Sequence, residues 1–335
     1  MPQVSVVIPA YNAMDYLPQT LANVLQQTLE DIEVIVVNDG SSDGIETWFS
    51  HHVKDARVKL YSQMNKGLSG ARNAGIQQSQ GDYIAFLDAD DLWASDKLRK
   101  QVHVFNEHPS AGLVYTWVAY IDRQGTPTGR IRKNEAEGMV WPTLIQHNIV
   151  ECGSVALVRR ACFEKVGLFD ESLRSLEDLD MWLRLAKYYP FRGIFEPLVY
   201  YRQHTDSLSR NWPLMEACFR TVLDRAFASA SPEFAHLRPQ SYAQAYLCLS
   251  WKPIQNRQKD YQEAARLLGK AVSYNPKIQL SGEYWRLSLA IAILQYLGIT
   301  GYEQLLAMVY RVRRRLSFRS DRTISSGIPS DISMP

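Results

Sequence analysis

The first hundred residues alternate short apolar runs with stretches of helical periodicity, and this alternation limits the fold more than any other feature of the chain. Val4–Ile8, Val34–Val37, Val58–Tyr61 and Ile84–Leu87 read as four strands. Helical patterns run from Leu17 to Gln27, from about Ser69 to Gln78 and from Trp93 to Glu107. Strand–helix alternation calls for right-handed crossovers and a mainly parallel sheet. Ile84–Leu87 has the unbroken apolar character of a strand buried on both faces. In such a sheet a ligand sits at the carboxyl ends of the strands.

Those ends are polar. Pro9, Ala10, Tyr11 and Asn12 follow the first strand; Asn38, Asp39, Gly40, Ser41, Ser42 and Asp43 follow the second; Asp88, Ala89, Asp90 and Asp91 follow the fourth. Local structure explains one polar turn well and three on one sheet edge poorly. Crowded carboxylates need a cation, a proton or strong donors. Asp88 and Asp90, oxygen ligands one residue apart, suit a hard divalent ion, Mg²⁺ or Mn²⁺. Asp90 or Asp91 could instead cap the helix expected near Trp93. Asp39 could accept from the imide N–H of uracil or from ribose hydroxyls, or simply form the Asx-turn that Asp-Gly favours.

Asn65-Lys66-Gly67-Leu68-Ser69-Gly70-Ala71-Arg72-Asn73 joins glycines to a helix start. Gly67 and Gly70 permit close backbone approach, and Lys66, Arg72 and the helix N-terminus favour an anion such as a diphosphate. The spacing is that of neither a P-loop nor a G-x-G-x-x-G turn. Glu177-Asp178 opens another helix, either as favourable charge at its N-terminus or with Asp178 as a general base. Arg202, His204, Ser207 and Ser209 have the chemistry to reach phosphate oxygens.

With 335 residues the chain is long for a single core, so one large domain with an appendage is expected. Apolar residues make up 46% and charged residues 21%, ordinary for a soluble globular protein. The net charge of +2 excludes the chain as a whole from polyanion binders, and no nucleic-acid partner is expected. Cys152, Cys162, Cys218 and Cys248 form no CxxC pair, which argues against a zinc site and for free thiols in a reducing cytosol. The N-terminus lacks the features of a signal peptide. The longest apolar stretch, Leu287–Ile299, is shorter than the roughly 20 residues that span a bilayer. A cytoplasmic location follows.

Beyond Ala111 the pattern changes. Val114–Ile121 leads into a turn at Arg123-Gln124-Gly125, which suggests a hairpin in a mixed sheet. Val155–Val158 reads as a further strand. Asp178–Lys187 reads as a helix with an apolar stripe at Leu179, Trp182, Leu183 and Leu185. After Arg210 almost everything reads helical. Ala264, Leu268, Ala271 and Pro276 have the spacing of a tetratricopeptide helix, but one unit makes no solenoid and helical packing is the better reading.

Taken in order, Val4-Ser-Val-Val-Ile-Pro-Ala-Tyr-Asn12, Val37-Asn-Asp-Gly-Ser-Ser-Asp43, Asn65 to Asn73, Gly81-Asp-Tyr-Ile-Ala-Phe-Leu-Asp-Ala-Asp-Asp91 and Glu177-Asp178 resemble the family 2 glycosyltransferases of GT-A fold, over roughly residues 3 to 210. Gly167-Leu-Phe-Asp170 and Tyr201-Arg-Gln-His204 are also similar. The family often has two acids where this chain has Asn38-Asp39. The resemblance implies an α/β fold with a Rossmann-like, mostly parallel mixed sheet and flanking helices. It implies an inverting, metal-dependent hexosyl transfer from a nucleotide diphosphate sugar, UDP-linked by preference. Acceptors would be glycans or lipid-linked molecules of polysaccharide, cell-envelope or glycolipid synthesis. Asp39, Pro9 and Tyr11 would hold the nucleoside, with Lys66, Gly67 and Arg72 beside the diphosphate. Asp88 would contact ribose or metal, Asp90 (the DXD position) the metal, with His204 a further ligand. Asp178 would be the base. A sugar nucleotidyltransferase would need a glycine-rich basic loop where Pro9-Ala-Tyr-Asn-Ala-Met stands, and a non-catalytic binding module would be expected to lack Asp90 or Asp178.

The expected organisation is a catalytic domain over residues 1–212, a helical region over 213–319 and a disordered tail over 320–335. Arg311-Val-Arg-Arg-Arg-Leu-Ser-Phe-Arg319 reads either as a membrane-surface patch, at the inner face of the plasma membrane, or as a solvated basic tail.

Overall fold

Four parallel strands give the sheet its frame. β1 (Val4–Ala10) lies between β2 (Ile32–Asp39) and β4 (Tyr83–Phe86), with β3 (Val58–Gln63) outside β2. The computed structural model describes residues 1–203, 211–256 and 259–317, with backbone alone at 306–307 and 309–317. His204, Ser207, Ser209 and the 320–335 tail lie outside the described residues, as do the side chains of the Arg311–Arg319 run. β1 and β2 are buried along their whole length, as their unbroken apolar runs require.

Between these strands run α1 (Leu17–Val24), α2 (Ile45–His52) and α3 (Gly67–Gln78). α3 seats closely on β1: a Cβ at Gly75 would lie 2.2 Å from a Val7 methyl. β4 leads into a short β5 (Leu92–Trp93), and only then does α4 (Lys97–Glu107) begin. The helix expected from Trp93 thus starts four residues late, because Leu92 and Trp93 pair antiparallel with Tyr200 and Val199. α4 has Asp96 at its N-cap position and no side-chain cap there, so neither Asp90 nor Asp91 caps it.

The mixed half follows. β6 (Leu113–Ile121) and β7 (Pro127–Arg132) form the antiparallel hairpin anticipated around Gly125. After α5 (Trp141–Leu144), a 3-10 turn (Gly153–Val155) feeds β8 (Leu157–Arg159), antiparallel to both β4 and β6. α6 (Ala161–Val166), α7 (Glu177–Ala186) and β9 (Phe191–Arg202) complete it, β9 running parallel to β6. Among the described residues the sheet has nine strands, in the order β3-β2-β1-β4-β8-β6-β9-β5 with β7 beside β6. The fold class is the mostly parallel α/β arrangement anticipated. Phe86, Trp182 and Phe169 form the aromatic core under α7, with ring centroids 5.2–6.5 Å apart; each such burial contributes about 1.5–3 kcal/mol.

The rest is helical: α8 (Trp212–Ser229), α9 (Arg238–Gln255), α10 (Tyr261–Tyr274) and α11 (Gly282–Ser317). The chain divides into two compact units at Ala245/Tyr246. α8 belongs to the first: Phe227 packs edge-on against Trp141 at 5.8 Å. In the second, Ala264, Leu267, Leu268 and Ala271 of α10 are buried, and α11 is broken at Gly298, whose φ is 67°.

Candidate active site

Asp39, Asp88 and the first turn of α7 are drawn together by α3. Asp39 ends β2, buried, and its carboxylate caps the start of α3: Oδ1 accepts from the amide of Lys66 at 2.9 Å and Oδ2 from that of Gly67 at 2.8 Å. Gln63 Nε2 donates to Oδ1 at 2.7 Å. A carboxylate has about four acceptor positions, so one remains. The turn is closed instead by the preceding residue, whose Asn38 Oδ1 accepts from Ser41 N at 2.9 Å. Asn12 cross-links the first two turns. Its backbone is left-handed at φ 48°, its amide donates to Ser41 Oγ at 3.0 Å, and its Oδ1 accepts from Ser42 N at 2.9 Å. Pro9 is buried within β1, whereas Tyr11 and Lys66 are exposed beside this joint.

Arg72 departs from the sequence expectation. Expected beside a diphosphate, it lies inside α3 and is 1% exposed. Its fork holds two acids at once: Nη2 donates to Asp88 Oδ1 and Nη1 to Glu177 Oε1, both at 2.8 Å. The guanidinium also lies 5.5 Å from the Phe169 ring centroid and 5.9 Å from that of Phe86. Burial alone disfavours the charge, but Asp88, Glu177 and Asp178 outweigh it and hold the group protonated. The backbone leaves room for it: a Cβ at Gly153 would stand 2.7 Å from Nη2. Asn73, one residue on, donates to Phe169 O at 2.9 Å and accepts from Phe169 N at 2.8 Å. α3 thereby pins the segment leading into α7.

Asp88, Asp90 and Asp91 have three different surroundings. The Asp88 side chain is 25% exposed and shares Arg72; burial raises its carboxyl, Arg72 opposes this, and Asp90 adds to the rise. Asp90 is half-buried, and its carbonyl accepts from Arg202 Nε at 2.7 Å. Asp91 is fully buried and structural. Its Oδ2 accepts from Ser154 Oγ at 2.6 Å and its Oδ1 from Arg202 N at 3.0 Å, and Ser154 Oγ in turn accepts from Asp88 N at 3.1 Å. Burial pushes Asp91 well above the usual carboxylate range, with Asp90 and Asp88 adding to it. Arg202 is likewise internal, donating to Arg123 O and Gln19 Oε1 at 2.9 Å each. The expectation that it reaches phosphate is corrected accordingly.

α7 begins abruptly after Leu176, whose φ of 61° is left-handed. Glu177 is buried on Arg72, and Asp178 is half-buried with Oδ1 accepting from Leu179 N at 2.7 Å. Burial pushes the Asp178 carboxyl up to about 7; Glu177 adds to this, while Arg72 and the Leu179 amide oppose it. A carboxyl poised near 7 has the proton affinity of a general base at neutral pH. The Cys152 thiol, half-buried, is raised well above its usual value by burial and by Asp91, Asp88 and Asp178 in turn. It is inert as a nucleophile.

Among the described residues no group of three or more His, Cys, Asp or Glu is arranged to hold a metal ion. Mg²⁺ or Mn²⁺ commonly needs one or two carboxylates from the protein, with water and substrate phosphates supplying the remaining oxygens. Asp88 and Asp90 fit that requirement, since their crowding with Asp91 creates a field that a cation relieves. Sequence reasoning missed Gly153, Ser154 and the bridging role of Arg72; no local motif marks them, because their partners lie far along the chain.

The family model for glycosyl transferase family 2 matches residues 5–167. A putative teichuronic acid biosynthesis glycosyltransferase, TuaG of Bacillus subtilis (strain 168), is 34% identical over 214 residues, which is 63% of this chain and 82% of that protein. An uncharacterized glycosyltransferase of Rickettsia bellii (strain RML369-C) is 36% identical over 198 residues, 58% of this chain but only 28% of the relative's length. In three dimensions the S. aureus TarS 1–349 structure has a TM-score of 0.58 at 17% identity, covering 90% of this chain and 89% of that one. The mannosyltransferase PcManGT of Pyrobaculum calidifontis gives 0.55 at 20% identity, covering 92% and 84%. These neighbours share the GT-A fold. With its strand-end acids in this arrangement and a relative of that similarity over most of its length, the chain belongs to glycosyltransferase family 2.

Proposed function

We propose that this glycosyltransferase moves a sugar from a nucleotide diphosphate sugar to an acceptor hydroxyl with inversion at the anomeric carbon. The observation that supports the reading is the Asp88–Arg72–Glu177 bridge, which ties the acidic strand end to the start of α7, where the Asp178 carboxyl is raised to about 7. Asp178 accepts the acceptor's hydroxyl proton as that oxygen bonds to the anomeric carbon and the bond to the diphosphate breaks. Such general-base assistance is worth about 10²–10⁴-fold. Asp90 with Asp88 would hold Mg²⁺ or Mn²⁺, which when bound supplies positive charge to the departing diphosphate. The exposed Lys66 ammonium would add charge there, whereas the Lys66 and Gly67 amides at the start of α3, expected to meet the diphosphate, are already taken by Asp39. Asp39 offers its remaining acceptor position to the nucleoside, beside Pro9 and Tyr11. His204, outside the described residues, is retained as a further candidate ligand.

Support for donor and product comes from similar proteins. TarS has been solved with UDP-GlcNAc, and PcManGT with GDP-Man and Mn²⁺. The B. subtilis relative is named for teichuronic acid biosynthesis, and an Escherichia coli chondroitin synthase is 31% identical over 198 residues. A UDP-sugar donor and an envelope-polysaccharide or lipid-linked acceptor fit these best. In the test, Asp178→Asn is assayed for transfer and titrated calorimetrically with UDP and GDP in Mn²⁺. Transfer should fall by about 10²–10⁴-fold with nucleotide affinity unchanged. Undiminished transfer would sink the base assignment, and loss of nucleotide binding would reassign Asp178 to the donor site.

A further inference from the structure

Charge divides between the two units. Residues 1–245 carry 24 Lys and Arg against 29 Asp and Glu, a net charge of −5, whereas residues 246–335 carry 13 against 6, a net charge of +7. The basic unit also bears the most apolar exposed helix face among the described residues. On α11, Leu287, Ala290, Ile291 and Leu294 are buried, on a helix that packs against α10. At the opposite angle of the same helix, Trp285 is 64% exposed, Leu289 62% and Tyr296 79%, with Leu297, 61% exposed, to one side of that stripe. Positions 285, 289 and 296 fall on one stripe at 100° per residue, with half-exposed Ile293 between them. Past the break at Gly298, Met308 is 61% exposed. A helix apolar on two opposite faces is ordinarily covered on both, and soluble monomers rarely leave a contiguous apolar patch of this kind open.

The occupant is argued from charge and residue type. The acids of the described helix are engaged within the unit, Glu283 accepting from Trp251 Nε1 at 2.9 Å and Glu303 pairing with Lys259 at 3.1 Å. Lys277 and Arg286, close to Trp285 in sequence, are exposed. A second copy would bring one +7 unit against another. A surface of opposite sign with an apolar interior meets both properties, and Trp, Tyr and Leu beside basic residues are the composition that settles at a bilayer interface. We propose that the Trp285–Leu289–Tyr296 face of α11 docks the chain on an anionic phospholipid surface. In the sequence the arginines of 311–319 follow beyond the break at Gly298, and their charge adds to the same attraction.

Full-length protein should float with phosphatidylcholine–phosphatidylglycerol vesicles, and less so as salt rises. The double variant Trp285→Ser/Tyr296→Ser should lose vesicle affinity by roughly tenfold or more, since two large apolar side chains no longer insert. Leu289→Ser, equally exposed, gives an independent reading. Flotation of the variants equal to that of the native chain would overturn the proposal. So would equal binding to pure phosphatidylcholine vesicles, or a self-association measured by sedimentation that the double variant abolishes.

Discussion

Arg72 and Trp285 represent opposite solutions to the same physical problem. Arg72 is a charge inside the first unit, held by two carboxylates at 2.8 Å and roofed by Phe169. Trp285 is an apolar ring of the second unit left 64% exposed. In the first case the structure is rigid where the site's acids must be positioned. In the second, the groups that ordinarily hold a fold together face outward, where stability gains little from them. The difference teaches how unevenly this chain places its strong interactions: as a buried polar network in one unit and as exposed apolar area in the other.

The comparison is broken most directly at Arg72. Arg72→Met leaves buried Glu177 and half-buried Asp88 without their cation, and should cost about 3–5 kcal/mol in denaturant unfolding. Arg72→Lys should recover part of this, because an ammonium keeps the charge but loses the two-pronged fork. An unchanged unfolding midpoint for Arg72→Met would show that the bridge contributes nothing.

Next in size is Asp178→Asn, read as stability against pH. The folded carboxyl, at about 7, holds its proton more tightly than the ordinary 3.8 of an unfolded chain. Its contribution is therefore fully present below about pH 4 and is lost as pH rises through about 7. Asparagine cannot ionise, so the variant should gain on the order of 2–4 kcal/mol over the native chain above pH 7 and nothing at pH 4. Parallel stability curves for the two proteins across that range would refute the raised carboxyl. Gly153→Ala comes third. Its Cβ would meet the Arg72 fork, and since the side chain cannot withdraw without releasing Asp88, a loss of about 1–3 kcal/mol is expected. Smallest is Trp285→Ser, far larger in atoms removed, yet expected to shift unfolding by less than about 0.5 kcal/mol. A large loss there would mean that the α11 face is covered in solution.

The central strands of the parallel half were legible because they are fully buried and their apolar runs are unbroken, as in Val34–Val37 and Ile84–Leu87. α2 was not: only Ile45 of it is buried, so it carries no apolar stripe to read. The late start of α4 was invisible because Leu92 and Trp93 answer to β9, more than a hundred residues on. In the site, the acids were legible as chemistry but not as assignments. Asp91 looks like Asp88 and Asp90 in sequence, and only its contacts with Ser154 and the Arg202 amide make it a structural anchor. Arg72 read as an anion-binding group because a local motif shows neither burial nor partners.

The sequence by itself determined the alternation that builds the sheet, the edge where its acids gather, the pairing of Glu177 with Asp178, and the family those motifs resemble. These are legible because hydrophobic period and residue order act locally along the chain. Only the tertiary structure decided which carboxylate shares Arg72, which is sealed against Ser154, and which is raised to about 7 at the head of α7. Burial and electrostatic coupling depend on distances between segments up to about a hundred residues apart, and the folded chain alone sets those distances.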